Sequence, residues 1–192
     1  MEKSDGELIR ESRRGGREAF QELVRRYQKR VMAVALGMVH NPEDAMEIVQ
    51  DAFVKAYENI DKFKGESSVY TWLYRIVVNR AIDFRRRERR HPTLRFEDRP
   101  GGEEKRESYE DTLKDDHPRD PFEATHSREV GDRVTEAINE LTPDHKAVIL
   151  LREVEGLSYD EISRVMECSK GTVMSRLHYA RKKLQQKLKD LV

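Results

Sequence analysis

Apolar residues recur along this chain at the three-and-four spacing of helices, and nowhere do they alternate at the period of two that a strand needs. Phe20, Leu23, Val24, Tyr27, Val31, Val34, Ala35 and Met38 form one stripe, which predicts a helix from about Arg17 to Val39. A second helix begins at Asn41-Pro42-Glu43-Asp44, where an N-cap, a proline at the first helical position and early acids come together. It continues through Ile48, Val49, Ala52, Phe53, Ala56, Tyr57 and Ile60. A third follows Gly65 and the Ser67-Ser68 cap, with Val69, Leu73, Ile76, Val77 and Phe84 inward. Further on, Val130, Val134, Ile138 and Leu141 mark another helix, and Thr142-Pro143-Asp144 caps the next, which Gly156 ends.

The stretch from Leu141 to Leu188 has the punctuation of a helix-turn-helix. Ser158 and Glu161 have the spacing of a capping box, in which each side chain satisfies an orphan N–H at a helix start. Ile162, Val165 and Met166 give that short helix one apolar face. The chain then breaks at Glu167-Cys168-Ser169 and restarts with Ser169 as N-cap. In the restarted helix Val173, Leu177, Ala180, Leu184 and Leu188 face inward, which leaves Lys170, Thr172, Ser175, His178, Tyr179 and Lys182 to reach a major groove. A plain helical hairpin with a solvated face would show the same periodicity. Charge favours the DNA-reading form, because from Ser169 to Lys189 there are seven cations and no Asp or Glu, and a single-sign surface attracts polyanions.

Composition splits the chain. Only 36% of the 192 residues are hydrophobic and 39% are charged, too little apolar material for one deep core, so two small domains are expected. The formal net charge is zero, yet cations and anions are segregated. Between about Pro92 and Thr125 the chain holds four prolines, the pair Gly101-Gly102 and almost no apolar periodicity, which reads as a flexible linker. From Glu97 to Thr125 it carries eleven acids against five bases. The expected organisation is therefore all-α: a helical domain over 1–95, a flexible acidic linker over 96–126 and a helix-turn-helix domain over 127–192. With a linker this long and polar, a mobile pair of domains is the default. The single cysteine, Cys168, excludes an internal disulfide and fits a reducing compartment. It reads as a small buried residue in the turn, with redox sensing as the alternative. No apolar run approaches a membrane span and the polar start lacks a signal-peptide core, so no membrane insertion and a cytoplasmic location are expected.

The third helix and its flanks interleave aromatic and basic residues: Phe63, Lys64, Tyr70, Trp72, Tyr74, Arg75, Arg80, Phe84 and the run Arg85-Arg86-Arg87. From Arg75 to Arg95 eight arginines face two acids. Such a surface suits single-stranded nucleic acid, whose bases stack on rings while cations follow the phosphates. Trp72 has an equal claim to the core. Arg75, Asn79 and Arg86 share a face beside the loop 63–68, where Gly65 permits close approach and the serines offer small hydrogen-bonding groups. That loop is suited to one extruded base, though a plain turn uses the same residues. The outward Glu43, Glu47, Gln50, Asp51 and Glu58 of the second helix read as a solvated acidic face, or as a dock for a basic protein surface.

Three segments in order make the pattern specific. PEDAMEIVQDAFVKAY, FKGESSVYTWLYRIVVNRAIDFRRR and GLSYDEISRVMECSKGTVMSRLHYARKKL resemble conserved regions 2 and 4 of bacterial sigma factors, and the compact layout resembles the extracytoplasmic-function (ECF), sigma-E-like group. The resemblance covers nearly the whole chain outside the linker and termini. It implies a region 2 helical bundle and a region 4 helix-turn-helix. It further implies that Ile48, Val49, Gln50, Asp51 and Phe53 engage the clamp helices of the largest subunit of core RNA polymerase, with region 4 at the flap. Phe63, Lys64, Gly65, Ser67, Ser68, Tyr70, Trp72, Arg75, Asn79 and Arg86 would open the minus-10 element and hold the non-template strand. Ser169, Lys170, Thr172, Met174, Ser175, Arg176, His178, Tyr179 and Lys182 would read the minus-35 element of promoter DNA, the acidic linker would thread near the active site and RNA exit, and an anti-sigma factor would be the regulator. Two departures stand out. Glu167 sits where such turns often carry Gly, so a left-handed backbone there costs roughly 1 kcal/mol. Met174 and Tyr179 stand where family members often place Arg, so the resemblance does not carry over a minus-35 sequence preference.

No catalytic, metal or cofactor motif is present: the six histidines form no HExxH pair, and GxxxxGK and paired cysteines are missing. The competing readings are a duplex-binding regulator that never joins polymerase, and a protein-binding adaptor. Neither needs the aromatic and arginine cluster at Phe63 to Arg90.

Overall fold

The computed structural model describes residues 3–90 and 121–191, the backbone alone over 121–128 and at 191. Every regular element among them is helical. The first, α1 (Asp5–Arg13), is one that hydrophobic spacing does not announce. It starts with a full Ser4–Glu7 capping box and buries Leu8, Ile9 and Ser12. Its polar side is equally committed, since Asp5 pairs with Arg26 at 2.9 Å and accepts the Tyr27 hydroxyl, and Arg13 donates to the carbonyls of Ile60 and Phe63. That last contact ties α1 to the loop that leads into the candidate site.

The apolar stripe from Phe20 to Met38 forms α2 (Arg17–Val39), which ends where His40 turns left-handed at φ 62°. Asn41 then caps α3 (Pro42–Glu58) by accepting the N–H groups of Glu43 and Asp44 at 2.9 and 3.0 Å, with Pro42 at the first turn. A 3-10 turn at Ile60–Lys62 follows, and Ser68 Oγ accepts the Thr71 N–H at the head of α4 (Val69–Arg90). Helices α2, α3 and α4 pack on one another around Val34, Ala35, Met38, Ala52, Ala56, Leu73, Val77 and Val78, all within 2% of full burial. Each buried Val, Leu or Met side chain here contributes about 1.5–3 kcal/mol.

The second unit opens with α5 (Pro121–Asn139), so the expected linker is helical over its last residues, 121–126; residues 96–120 lie outside the described part. Thr142 caps α6 (Pro143–Ile149), which continues as a π-helical turn at Leu150–Val154 before Gly156, at φ 69°, reverses the chain. The capping box Ser158–Glu161 starts α7 (Tyr159–Val165), and Ser169 starts α8 (Lys170–Lys187). Ile162, Val165, Val173, Leu177 and Ala180 are buried between α6, α7 and α8. The turn between α7 and α8 holds Glu167 at φ 49°, the left-handed geometry that a glycine would take without strain.

The two units pack on one another in this structure. Helix α7 packs on α4, and α6 with its π-helical turn packs on α2 and α4. Gly37 makes the approach of the π-helical turn feasible, for a Cβ at that position would lie 2.8 Å from both terminal methyls of the buried Leu150. Linker length does not announce these contacts, which are spread over four helices.

Candidate nucleic-acid interface

The loop 63–68 and the first two turns of α4 enclose a cleft of about 530 Å³. Lys62, Phe63, Lys64, Glu66, Ser67, Thr71, Trp72 and Arg75 line it from the first unit, Arg164 and Glu167 from the second. Gly65 takes φ 75° with open space where a Cβ would stand, so the turn needs its backbone freedom rather than its small size. Trp72 settles between its two readings by doing both. The ring is 7% exposed within the core cluster, packs on Phe63 with centroids 5.1 Å apart, and still presents an edge to the cleft.

Along α4 the other expected residues divide. Tyr70 is half-buried and donates its hydroxyl to Glu161, with the Arg30 guanidinium 5.6 Å from its ring centre. Arg75 reaches Glu167 at 3.4 Å, and Asn79 and Arg86 lie exposed further along the same face. Tyr74 is fully buried, but its hydroxyl donates to Glu155, which also accepts from Arg30 Nε at 3.1 Å. Burial first, and this carboxylate acceptor second, push the Tyr74 phenol up and keep it neutral. The Tyr70 hydroxyl and then the Ser158 N–H hold the Glu161 carboxyl below its usual range. A sequence reading finds Glu161 as a cap and misses it as a partner of Tyr70, since the two lie 91 positions apart.

On α8, Ser169 Oγ accepts the Thr172 N–H at 3.1 Å, and Lys170, Met174, Ser175, His178, Tyr179 and Lys182 are exposed, with Thr172 half-buried. Met174 and Tyr179 are 54% and 60% exposed, large apolar surface on this face, with the Tyr179 ring 6.4 Å from that of His145 and 5.7 Å from that of His178. Arg176 departs from the expected groove-facing set. Its side chain turns back to Asp144 of α6 at 3.3 Å and joins the α6–α8 packing. The basic run is also less bare than its sequence implies, because Lys170 pairs with Asp160, Arg181 with Glu153 and Lys187 with Glu140, each at 2.7–2.8 Å. These exposed pairs contribute little to stability. Cys168 is half-buried in the turn, its sulfur 3.9 Å from Arg176.

Helix α3 separates its expected set in the same way. Ile48, Val49 and Phe53 point into the bundle, while Gln50 and Asp51 are exposed. The outward face adds Met46, Val54 and Tyr57, each at least 40% exposed, among Glu43, Glu47 and Glu58. Periodicity places Tyr57 in the core, but it sits at the edge of the bundle, its ring packed on Phe20 with centroids 5.0 Å apart and 40% of its surface exposed. An acidic face with three bare apolar residues is a better protein dock than a solvated one. No helix among the described residues is long and apolar enough to cross a membrane.

Known proteins match both units. Residues 23–91 match the family described as Sigma-70 region 2, and residues 131–184 match Sigma-70, region 4. The chain is 37% identical to the ECF RNA polymerase sigma-E factor of Haemophilus influenzae over 98% of its length and 97% of that protein. It is 34% identical to the RNA polymerase sigma-H factor of Pseudomonas aeruginosa over all of its length and 97% of that protein. Among solved structures, CnrH in complex with the cytosolic domain of CnrY covers 98% of this chain and 99% of its own at TM-score 0.69 and 23% identity. The sigma factor RpoE in complex with the anti-sigma factor NepR, from Bartonella quintana, covers 88% and 96% at TM-score 0.64 and 24% identity. These two establish the likeness of fold.

Proposed function

The chain belongs to the ECF group of RNA polymerase sigma factors, non-catalytic subunits that direct core polymerase to promoters, and from that premise we propose how its surfaces divide the work. The unit 1–95 binds core polymerase and opens the minus-10 element; the unit 127–192 reads the minus-35 element. The observation that carries this division is the cleft beside Trp72, Phe63 and Arg75, which has the rings, cations and turn that an unpaired base requires and that a duplex-only regulator does not. In this reading Lys64 and Ser67 of the cleft, with Gly65 and Ser68 of the same loop, lie against the strand, Arg75 and, outside the cleft along α4, Tyr70, Asn79 and Arg86 follow its backbone, and Trp72 serves as a fixed platform.

For polymerase the face of α3 is the dock, with Gln50, Asp51, Met46, Val54 and Tyr57 in contact and Ile48, Val49 and Phe53 shaping it from beneath. On α8 the exposed Lys170, Met174, Ser175, His178, Tyr179 and Lys182 face the groove, where apolar and polar tips meet base edges. An anti-sigma protein is the expected regulator, and the cytoplasm the expected location.

In vitro transcription with core polymerase on a promoter library from the source genome tests the reading. Purified chain should confer promoter-specific initiation with permanganate-reactive thymines near minus 10; transcription no different from core alone at every promoter would overturn it.

A further inference from the structure

The loop that forms the cleft is fastened at its two ends by different means. On the α4 side, Ser68 Oγ accepts the Thr71 N–H at 3.3 Å and lies 2.7 Å from the Thr71 hydroxyl, which fixes the exit of the loop on the first turn of the helix. On the other side the clamp comes from outside the loop. Arg13, the last residue of α1, donates from Nε to the Ile60 carbonyl at 3.1 Å and from Nη2 to the Phe63 carbonyl. Between the two clamps Gly65 stands at φ 75° with open space around it, so the segment 64–67 draws its shape from its ends. Two N–H groups of one planar guanidinium set the relative placement of two carbonyls three residues apart, which a flexible ammonium does not do. Both bonds are charge-assisted, the stronger kind. One of the carbonyls belongs to Phe63, whose ring lines the cleft and packs on Trp72 with centroids 5.1 Å apart. Helix α1 is itself held firmly enough to anchor the clamp, by the burial of Leu8, Ile9 and Ser12 and by the contacts of Asp5 with Arg26 and Tyr27. Arg13 is not among the residues that line the cleft, so it acts on an occupant through the loop.

We propose that Arg13 is a positioning residue for base capture: by holding the Ile60 and Phe63 carbonyls it sets the Phe63–Trp72 ring pair and the start of the loop in the form that accepts an extruded base. The proposal rests on the base-holding role given above to the cleft. A loop already ordered before binding does not lose that freedom when the base arrives, and the saving appears as affinity. The benefit falls on the base inside the cleft. Phosphates elsewhere along the strand gain nothing from it, and this separates positioning from a direct phosphate contact by the Arg13 charge.

Holoenzyme assembled from core polymerase and the full chain tests this on fork templates whose non-template strand is unpaired through the minus-10 element, so that melting is not at stake. The dissociation half-life is measured on the intact strand and on strands with an abasic site at each minus-10 position in turn, and the ratio of the two is the contribution of that base. For the wild type the ratio should be about tenfold at one position, as for a base stacked on a ring. In Arg13→Ala it should fall to about threefold or less at that position, the loss expected when a loop must be ordered on binding. Arg13→Lys, which keeps the charge without the fork, should fall in between. Val34→Ala, a cut in the bundle core away from the loop, should lower the urea midpoint and keep the wild-type ratio. A ratio unchanged in Arg13→Ala would overturn the proposal, even if half-lives on intact and abasic strands fall together, since that is the mark of a phosphate contact. A ratio that also falls in Val34→Ala would overturn it as well, by showing mere loss of stability. If no abasic position matters to the wild type, the base-holding role of the cleft fails and the positioning role with it; if one matters and Arg13→Ala keeps it, the positioning role fails alone.

Discussion

Trp72 shows how a residue can serve a site through the core. With 7% of its surface exposed, Trp72→Ala should cost about 3–5 kcal/mol, seen as a lower urea midpoint of the whole first unit. Arg75→Ala, at an exposed position whose ion pair is screened, should leave that midpoint within about 0.5 kcal/mol. In a holoenzyme it should lower permanganate reactivity near minus 10 by more than it lowers polymerase binding; equal losses would remove Arg75 from the strand face. Met174 is the other residue with a distinct expectation. An exposed thioether in the middle of a groove-facing row has one favourable partner on a base edge, the thymine methyl. Replacing thymine by deoxyuridine at one minus-35 position should weaken upstream binding of the wild type several-fold, within the 1–3 kcal/mol of a good base contact, and should not affect Met174→Ala.

Helix boundaries are the part of this fold most legible in the chain, because each is decided within four residues. Asn41-Pro42, Thr142, Ser158 with Glu161, and Ser169 all cap the helices their positions announce. The same logic was present at Ser4 and Glu7, but α1 has so few apolar residues that its capping box had no stripe to support it. What the chain does not display is which way a residue turns when two helices compete for it. Arg176 sits on the groove side by spacing and is drawn inward by Asp144, and Tyr57 sits on the core side yet keeps only the edge of the core, against Phe20, with 40% of its surface exposed. The contacts of Glu155, Glu161 and Glu167 with the first unit stay hidden for the same reason, their partners lying 81 to 125 positions away. Glu167 also carries the one strained backbone of the helix-turn-helix, so Glu167→Gly should raise the melting temperature of the second unit by the few degrees that about 1 kcal/mol provides. No change, or a loss, would mean that its contact with Arg75 outweighs the strain.

At the level of the whole molecule, closure buries an amine between the units. Lys146 is 1% exposed, 2.6 Å from His40 Nε2 at the end of α2 and 2.9 Å from Asn139 Oδ1 on α5, and α4 turns Arg85 and Arg89 toward it, Arg85 being paired to Glu88. Burial, then these two arginines, push its ammonium down to about 7. Between about pH 7 and the ordinary lysine value of 10.5 the open or unfolded chain holds one more proton than the closed one, so stability rises with pH across that window and is flat below it. From pH 7 to 9 the urea midpoint of the wild type should rise, by at most about 1.4 kcal/mol per pH unit, and Lys146→Met should abolish the rise. A wild-type midpoint independent of pH would place the amine in water.

Glu161 links these scales. One of its oxygens completes the capping box that starts α7 and the other takes the Tyr70 hydroxyl. The first duty belongs to the folding of the second unit and the second to its resting place on the first, and they ask for different chemistry: the cap accepts either an acid or an amide, the resting place prefers the charge. A change of Glu to Gln at this position therefore alters the contact between the units and leaves the start of the helix, and with it the architecture of the helix-turn-helix, untouched.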